Sequence, residues 1–327
     1  MALPLLARYA DSLRYDRESG RVLALDWRAY PTSAELTAYD DAESIARAIE
    51  DGVVRHAAAA YLAGYGLVLA AREWAARPSD ARRGALIQAG EWLRQAGPGD
   101  TRLSALIDQA LARADAATLA GEGAEQVVLS LVQNEINRAE RVSERCGRIA
   151  AGLLEEGDHV LTHGFAGPAL LWMLHVALAE QSKPIALAVL APRQPDDDVR
   201  LTADLAREIG LPVTLLEHST PEHAFKQAAP TIFVAGAERI ALDGGVAGAP
   251  GAAGYAELAR QLGLPRYVLG YDGPDPAVAE FLAGSDITPP ELISAIITSR
   301  GIYRPEMIAR YLGDGEAPLD VIPLSPG

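Results

Sequence analysis

Apolar positions follow a helical period through the first half of the chain. From Asp40 to about Glu155 the apolar side chains recur at helical spacing, with charged residues between them. Asp41 is placed to cap the first helix, Pro78–Asp80 starts another, and Gly97–Asp100 interrupts the pattern and restarts it. The first half therefore predicts an α-helical bundle.

Two further elements frame this bundle. Residues 12–31 alternate apolar and polar positions on both sides of Glu18–Gly20, which predicts a β-hairpin with its turn at those residues. At the other end, Gln126–Leu154 alternates apolar and charged residues at helical spacing, which predicts a long connecting helix.

In the second half of the chain, the apolar residues no longer recur only at helical spacing. Short apolar runs, which predict strands, occur at His159–His163, Pro184–Leu190, Pro212–Leu216, Thr231–Ala235 and Tyr267–Tyr271. Helical patterns separate or follow them at Ala166–Glu180, Thr202–Ile209, Pro221–Gln227, Gly254–Leu262 and Asp275–Leu282. Strands that alternate with helices predict right-handed crossovers and a parallel, doubly wound sheet. Ligands on such sheets lie beyond the carboxyl ends of the strands, so the loops after those ends are the candidate functional segments.

These patterns predict an α/β protein with three segments. A helical domain with a small β element spans residues 1–125, a linking helix spans 126–157, and a Rossmann-like, doubly wound parallel-sheet domain spans 158–327. Residues 244–254 are rich in small side chains, which favours a mobile loop, although its backbone could also cradle a ligand.

Composition narrows the function classes. The 327 residues are 49% hydrophobic, and 44 acids against 29 bases give a net charge of −15, which argues against nucleic acid as a partner. The apolar stretches are shorter than a membrane span, and the amino terminus has no basic segment ahead of an apolar run, so neither a membrane protein nor a signal peptide is expected. Cys146 is the only cysteine, so we expect no disulfide, no multi-cysteine metal site and a cytoplasmic setting. We also expect no cofactor.

Three segments resemble landmarks of the methylthioribose-1-phosphate isomerases. They are LTHGFAG at Leu161–Gly167, VAGAERIALDGGVA at Val234–Ala247, and TPPELISAIITSRGIYRP at Thr288–Pro305. Ribose-1,5-bisphosphate isomerase and the alpha, beta and delta subunits of eukaryotic initiation factor 2B share the same fold. The resemblance implies that fold, a homodimer, and a sugar phosphate as the substrate of the related enzymes.

The chain departs from the family pattern at the positions that the resemblance marks as functional. Gly164 stands where the family has its acid–base cysteine, and Phe165 stands where an asparagine follows it. Glu238 replaces the catalytic aspartate, while the phosphate-binding arginine survives as Arg55. A second arginine aligns with Gly97. A glutamine falls at or near Asp197 and a lysine is replaced around Ala249, so the phosphate site is also depleted.

These departures change the chemistry that the site can perform. Aldose–ketose isomerisation needs a group that gives and takes protons in a water-poor pocket, and Gly164 has no side chain to do so. The candidate catalytic groups that remain are Glu238, where burial would raise the pKa, and His163. A salt bridge at Glu238 and a loop-orienting hydrogen bond at His163 are the structural alternatives.

The candidate ligand contacts are Arg55 and the backbone amides of Gly164, Phe165, Ala166 and Gly167, which follow a strand and open a helix. Tight-turn geometry explains the two glycines equally well, and Arg55 could instead pair with an acid.

Two functions follow from these assignments. The first is a non-catalytic homologue, or pseudoenzyme: a dimeric scaffold that binds a small sugar phosphate or nucleotide. The second is an aldose–ketose sugar-phosphate isomerase with an altered substrate, using Glu238 and His163. The apolar segment Leu292–Ile297 is too apolar for a lone surface helix and supports the homodimer.

Overall fold

The computed structural model describes residues 3–190, 197–216, 220–279 and 287–312, and the chain forms two compact units. The amino-terminal unit spans Arg8–Glu140, and the sheet unit comprises Met1–Ala7 and Arg141–Gly327. The predicted domain boundaries at residues 125 and 157 stay a prediction.

The helices and strands are numbered in chain order. The described α-helices are α1 (Tyr9–Ser12), α2 (Ala42–Glu50), α3 (Ala57–Glu73), α4 (Ser79–Ala96), α5 (Thr101–Ala120), α6 (Ala124–Ala151), α7 (Pro168–His175), α8 (Asp197–Ile209), α9 (Pro221–Ala228) and α10 (Ala252–Gln261). The described strands are β1 (Leu13–Asp16), β2 (Arg21–Leu25), β3 (Leu36–Tyr39), β4 (His159–His163), β5 (Ala186–Leu190), β6 (Val213–Leu216), β7 (Ile232–Ile240), β8 (Val246–Gly248), β9 (Arg266–Tyr271), β10 (Ile287–Thr288), β11 (Ala295–Thr298) and β12 (Gly301–Tyr303). Three 3-10 segments (Leu5–Ala7, Pro290–Leu292, Pro305–Leu312) and a π-helical turn after α7 (Val176–Glu180) complete the described elements.

Helix α3 is the core of the amino-terminal unit. Residues 57–71 are all buried, because the helix is apolar on every face. The predicted helix starts are confirmed: the Asp41 carboxylate accepts from the Ser44 amide at 2.7 Å, and the Asp100 carboxylate accepts from the Leu103 amide at 2.9 Å. The long predicted helix is also confirmed, as α6.

The predicted hairpin is confirmed and is part of a slightly larger sheet. Strands β1 and β2 pair antiparallel, with Leu13 opposite Ala24. Strand β3 adds to β2 as a third strand that the pattern did not predict. Its four residues, LTAY, are too few to establish an alternation of apolar and polar positions.

The sheet unit has the predicted doubly wound parallel sheet. Its strand order is β12–β11–β9–β7–β4–β5–β6, with every neighbouring pair parallel except β11 and β12. Without β12 this is the Rossmann order, which reverses direction between its first and fourth strands, here β4 and β7. Five predicted strands are confirmed, although β7 runs on to Ile240 because its end pairs with β8.

Two sequence interpretations of the later chain are corrected. Residues 275–279 form turns rather than the start of a helix, because the amides of Leu242 and Asp243 bond to the carbonyls of Val278 and Ala279. The rest of that predicted helix lies outside the described residues. The apolar residues of 292–297 are buried in the sheet unit: Leu292 and Ile293 precede strand β11, which is itself buried between β9 and β12.

Helices α6 and α7 cross closely at Gly147. A Cβ added there would overlap the Trp172 side chain and lie 2.6 Å from the Ala169 carbonyl oxygen.

Cys146, next to Gly147 on α6, is fully buried. Its thiol donates a hydrogen bond to the Ile297 carbonyl at 3.2 Å. Burial raises the pKa of the Cys146 thiol to about 12, so this cysteine is a packing residue and not a nucleophile.

Candidate binding site at the carboxyl ends of the central strands

The reversal of strand order places a crevice beyond the carboxyl ends of β4 and β7. Strand β4 ends at His163, and β7 passes the same level near Gly236. Gly236 packs directly on the loop that follows β4, since an added Cβ would lie 2.7 Å from the Ala166 Cα. Ligands of doubly wound sheets bind at this reversal point. The sequence landmarks at Leu161–Gly167 and Val234–Ala247 therefore meet at one edge of the sheet.

The loop between β4 and α7 depends on two glycines with left-handed backbone. Gly164 has φ +66° and Gly167 has φ +81°, a region that residues with a Cβ rarely adopt. The Thr202 hydroxyl, on α8, donates to the Gly164 carbonyl at 3.1 Å and fixes the start of the loop. Gly167 precedes Pro168 at the α7 N-terminus, and among the described residues no side chain caps that helix. The use of the Gly164–Gly167 amides as ligand donors stays a prediction.

Tyr271 holds this loop from the end of β9. Its hydroxyl donates to the Ala166 carbonyl at 2.5 Å and occupies the space beside Gly167 where a side chain would project. Tyr271 has φ +46°, an unusual conformation for a residue with a side chain, and such strain concentrates at functional sites. The sequence marks the loop after this strand as a candidate functional segment but does not single out Tyr271. The position of Tyr271 at the carboxyl end of a predicted strand is the indication that could have found it.

His163 is buried at the floor of the site, with 4% of its surface exposed. Its Nε2 lies 2.7 Å from the Pro250 carbonyl oxygen, and its ring packs against Tyr255 with 4.9 Å between ring centroids. A carbonyl oxygen only accepts, so Nε2 carries the hydrogen. Nδ1 is buried and has no hydrogen-bond partner in the part of the chain that the structure describes. The structural alternative considered from the sequence, a histidine that orients a loop, describes the Nε2 contact.

Glu238 is exposed, so the expectation that it is buried is wrong. It occupies a bulge in the pairing of β7 with β8, where Ala237 pairs with Gly248 and Arg239 pairs with Ala247. At Glu238, β7 no longer pairs with its parallel neighbours, and the short strand β8 leaves the Glu238 side chain exposed. Arg239 forms an ion pair with Asp275 at 3.0 Å. The catalytic role predicted for Glu238 stays a prediction.

The small-residue segment 244–254 has regular structure. It contains β8, which pairs with β7 and β10, and it leads into α10. Gly248 lies so close to β7 that an added Cβ would be 2.7 Å from the Gly236 carbonyl oxygen. The expected mobile loop is therefore a short strand in the structure, because small residues let β8 approach β7.

Arg55 belongs to the amino-terminal unit, immediately before α3. Arg55 is half-buried. Its neighbour His56 has φ +56° at the α3 N-terminus. Its predicted role as a ligand contact stays a prediction. The side chain of Asp197, where the resemblance places the family's glutamine, lies outside what the structure describes.

The described ranges contain neither a metal-binding cluster nor a membrane-spanning helix. No group of three or more His, Cys, Asp or Glu side chains there is arranged to hold a metal ion. None of the helices in those ranges is both long and apolar enough to cross a membrane.

Comparison with known proteins gives consistent matches. The sequence profile of the Initiation factor 2 subunit family matches residues 53–270. The chain is similar to the methylthioribose-1-phosphate isomerase of Chloroflexus aurantiacus, with 31% identity over 89% of this chain and 95% of that protein. It is similar to the enzyme of the same name from Nitratidesulfovibrio vulgaris, with 29% identity over 89% of this chain and 94% of that protein.

Solved structures agree with these matches. The translation initiation factor eIF-2B subunit delta from A. fulgidus has a TM-score of 0.70 and 26% identity, covering 90% of this chain and 96% of its own. The 5-methylthioribose 1-phosphate isomerase from Pyrococcus horikoshii has a TM-score of 0.72 and covers 92% of this chain and 94% of its own; at 23% identity it supports the fold alone.

Proposed function

The chain belongs to the Initiation factor 2 subunit family, and from this premise we propose that it is a member without methylthioribose-1-phosphate isomerase activity. It acts instead as a dimeric scaffold that binds a small ligand at the carboxyl ends of β4 and β7. One observation carries the proposal: the residue after His163, where the resemblance assigns the acid–base cysteine, is Gly164 with φ +66°. A side chain is absent there, and the backbone conformation disfavours one.

The surroundings of Gly164 support the same conclusion. A Cβ added at this position would lie 3.3 Å from the Ala249 Cβ, which is tighter than most such contacts. The Ala249 Cβ, in the segment that follows β8, is therefore the atom that a side chain at this position would meet first.

The alternative function, an isomerase that uses Glu238 and His163 on another substrate, has weaker support. A proton-transferring carboxylate works best in a water-poor pocket, whereas Glu238 is exposed. The Nε2 hydrogen of His163 is already donated to Pro250. Glu238 would have to leave solvent before it could exchange protons with a sugar in a water-poor pocket.

The predicted ligand contact of Arg55, in the amino-terminal unit, has its own test. A ligand at about a hundredfold excess over its Kd stabilises the folded protein by about 2.7 kcal/mol. We expect a pentose phosphate, nucleotide or nucleoside to raise the Tm of the wild type, and to raise that of Arg55→Ala less. Arg47→Ala, an exposed arginine of the same unit, is the control and should respond like the wild type. Equal stabilisation of wild type and Arg55→Ala would show that Arg55 is not a ligand contact.

We propose a homodimer formed through the sheet unit. Family membership supports it, whereas the apolar segment Leu292–Ile297 no longer does, because its apolar side chains are buried within one chain. Light scattering at micromolar concentration should give twice the chain mass of 34.6 kDa. A mass equal to one chain would contradict the dimer.

A further inference from the structure

We propose that the part of the ligand beside Gly164 is an uncharged hydroxyl group that donates a hydrogen bond to Nδ1 of His163. The inference rests on the ligand-binding function proposed above and specifies the chemistry of its ligand. It identifies a sugar or nucleoside hydroxyl, and not a phosphate, as the group at the end of β4.

The tautomer of His163 makes Nδ1 an acceptor. Because Nε2 donates to the Pro250 carbonyl at 2.7 Å, the neutral ring carries its lone pair on Nδ1. That atom is buried without a hydrogen-bond partner among the described residues, and the whole residue is only 4% exposed. Buried polar atoms without partners are rare in native proteins and call for an explanation. A ligand group that donates would satisfy the atom.

The position of Nδ1 brings that donor next to Gly164. Nδ1 is bonded to Cγ, so it lies on the backbone side of the ring, whereas Nε2 lies at the far side and faces Pro250. The next residue, Gly164, has no side chain to approach Nδ1, and Tyr255 covers the ring. Gly164 thus leaves the backbone side of the ring without a side chain of its own, at the strand end where the order of the sheet reverses.

The charges at this edge of the sheet select against phosphate. The ends of β7 and β9 carry the carboxylates Glu238, Asp272 and Asp275, and Arg239 is ion-paired with Asp275. A phosphate oxygen beside the Nδ1 lone pair would meet another acceptor. An ammonium group could donate, but burying a charge against Tyr255 and glycine costs far more than burying a hydroxyl. An uncharged hydroxyl is the donor that fits.

Two substitutions of His163 test the roles of its two ring nitrogens separately. His163→Gln keeps a donor near the Nε2 position and loses the acceptor near Nδ1. His163→Asn keeps an acceptor near Nδ1 and loses the bond to Pro250. We expect the affinity for D-ribose or adenosine to fall about tenfold in His163→Gln, and to fall less in His163→Asn. A purely structural role predicts the reverse order, because His163→Asn breaks the one observed hydrogen bond of the ring.

The wild-type full-length chain gives a direct readout that does not depend on variant folding. In ¹⁵N-histidine-labelled protein, His163 should be in the Nε2–H tautomer, and its Nδ1 resonance should shift when D-ribose or adenosine is added. Inorganic phosphate should leave the resonance unchanged, and methylamine tests the charged donor. The proposal is overturned if neither uncharged probe moves the Nδ1 resonance at millimolar concentration, or if phosphate or methylamine moves it more. Either result would leave the absence of isomerase activity untouched, since that is measured by turnover.

Discussion

Neither the wild-type protein nor a Gly164→Cys variant should isomerise methylthioribose 1-phosphate at an enzymatic rate. A positioned acid–base group contributes about 10²–10⁴-fold to such a reaction, and the wild type has no side chain at the position that the resemblance assigns to it. Supplying the thiol should not restore the activity, because the backbone at Gly164 has φ +66°. The new side chain would project toward Ala249 instead of being presented to a substrate.

The same backbone geometry predicts a cost in stability. A residue with a Cβ in the left-handed region is less favourable by about 1–2 kcal/mol, and the contact with Ala249 adds to this. Gly164→Ala is the matched control, since it has the same Cβ without the thiol. Denaturant unfolding should place both variants below the wild type by a similar amount. If Gly164→Cys is as stable as the wild type, the position accepts a side chain and this argument is wrong.

Gly147→Ala should destabilise the sheet unit although alanine is the better helix former. The added Cβ would overlap Trp172 and would lie 2.6 Å from the Ala169 carbonyl oxygen and 2.9 Å from the Met173 amide nitrogen. Two of these three neighbours are backbone atoms of α7, so relief requires the helices to separate. Overpacking of this kind costs about 1–3 kcal/mol. We expect a net loss of stability in denaturant or thermal unfolding.

Gly254→Ala is the control for Gly147→Ala in the same unit. Gly254 lies in α10 with nothing within 4 Å of an added Cβ, so only the helix preference changes. That preference is about 0.5–1 kcal/mol in favour of alanine. Gly254→Ala should therefore be neutral or stabilising. Similar effects of the two substitutions would show that the crossing of α6 and α7 tolerates the extra carbon.

The parallel sheet could be predicted because its strands are buried on both faces. Such strands are short continuous apolar runs between helical patterns, and His159–His163 was predicted with the bounds that the structure has. The strand order could not be predicted in the same way, because the topology rules leave both common doubly wound orders open once a βαβ alternation is recognised. The helix expected from Asp275 failed because its backbone pairs with Leu242 and Asp243, a contact that no local periodicity reports.

The sequence predicts where the site lies but not the exposure and contacts of its side chains. Its place at the ends of β4 and β7 follows from the fold class, and the missing side chain at Gly164 is visible in the sequence. The exposure of Glu238 depends on where the parallel pairing of β7 ends, which the pattern of apolar residues does not reveal. The Tyr271 contact joins residues 105 positions apart and requires a left-handed tyrosine, so it has no sequence signature.

The central claim is the loss of isomerase activity, and side-by-side turnover of methylthioribose 1-phosphate tests it most directly. The purified protein and the Chloroflexus aurantiacus isomerase, which is 31% identical to it, would be assayed under the same conditions with NMR detection of the ketose product. We predict a rate for this protein that is lower by at least about 10²-fold, the smaller estimate for a lost acid–base group. A turnover of about 1–10³ per second, the ordinary range for enzymes, would contradict the account.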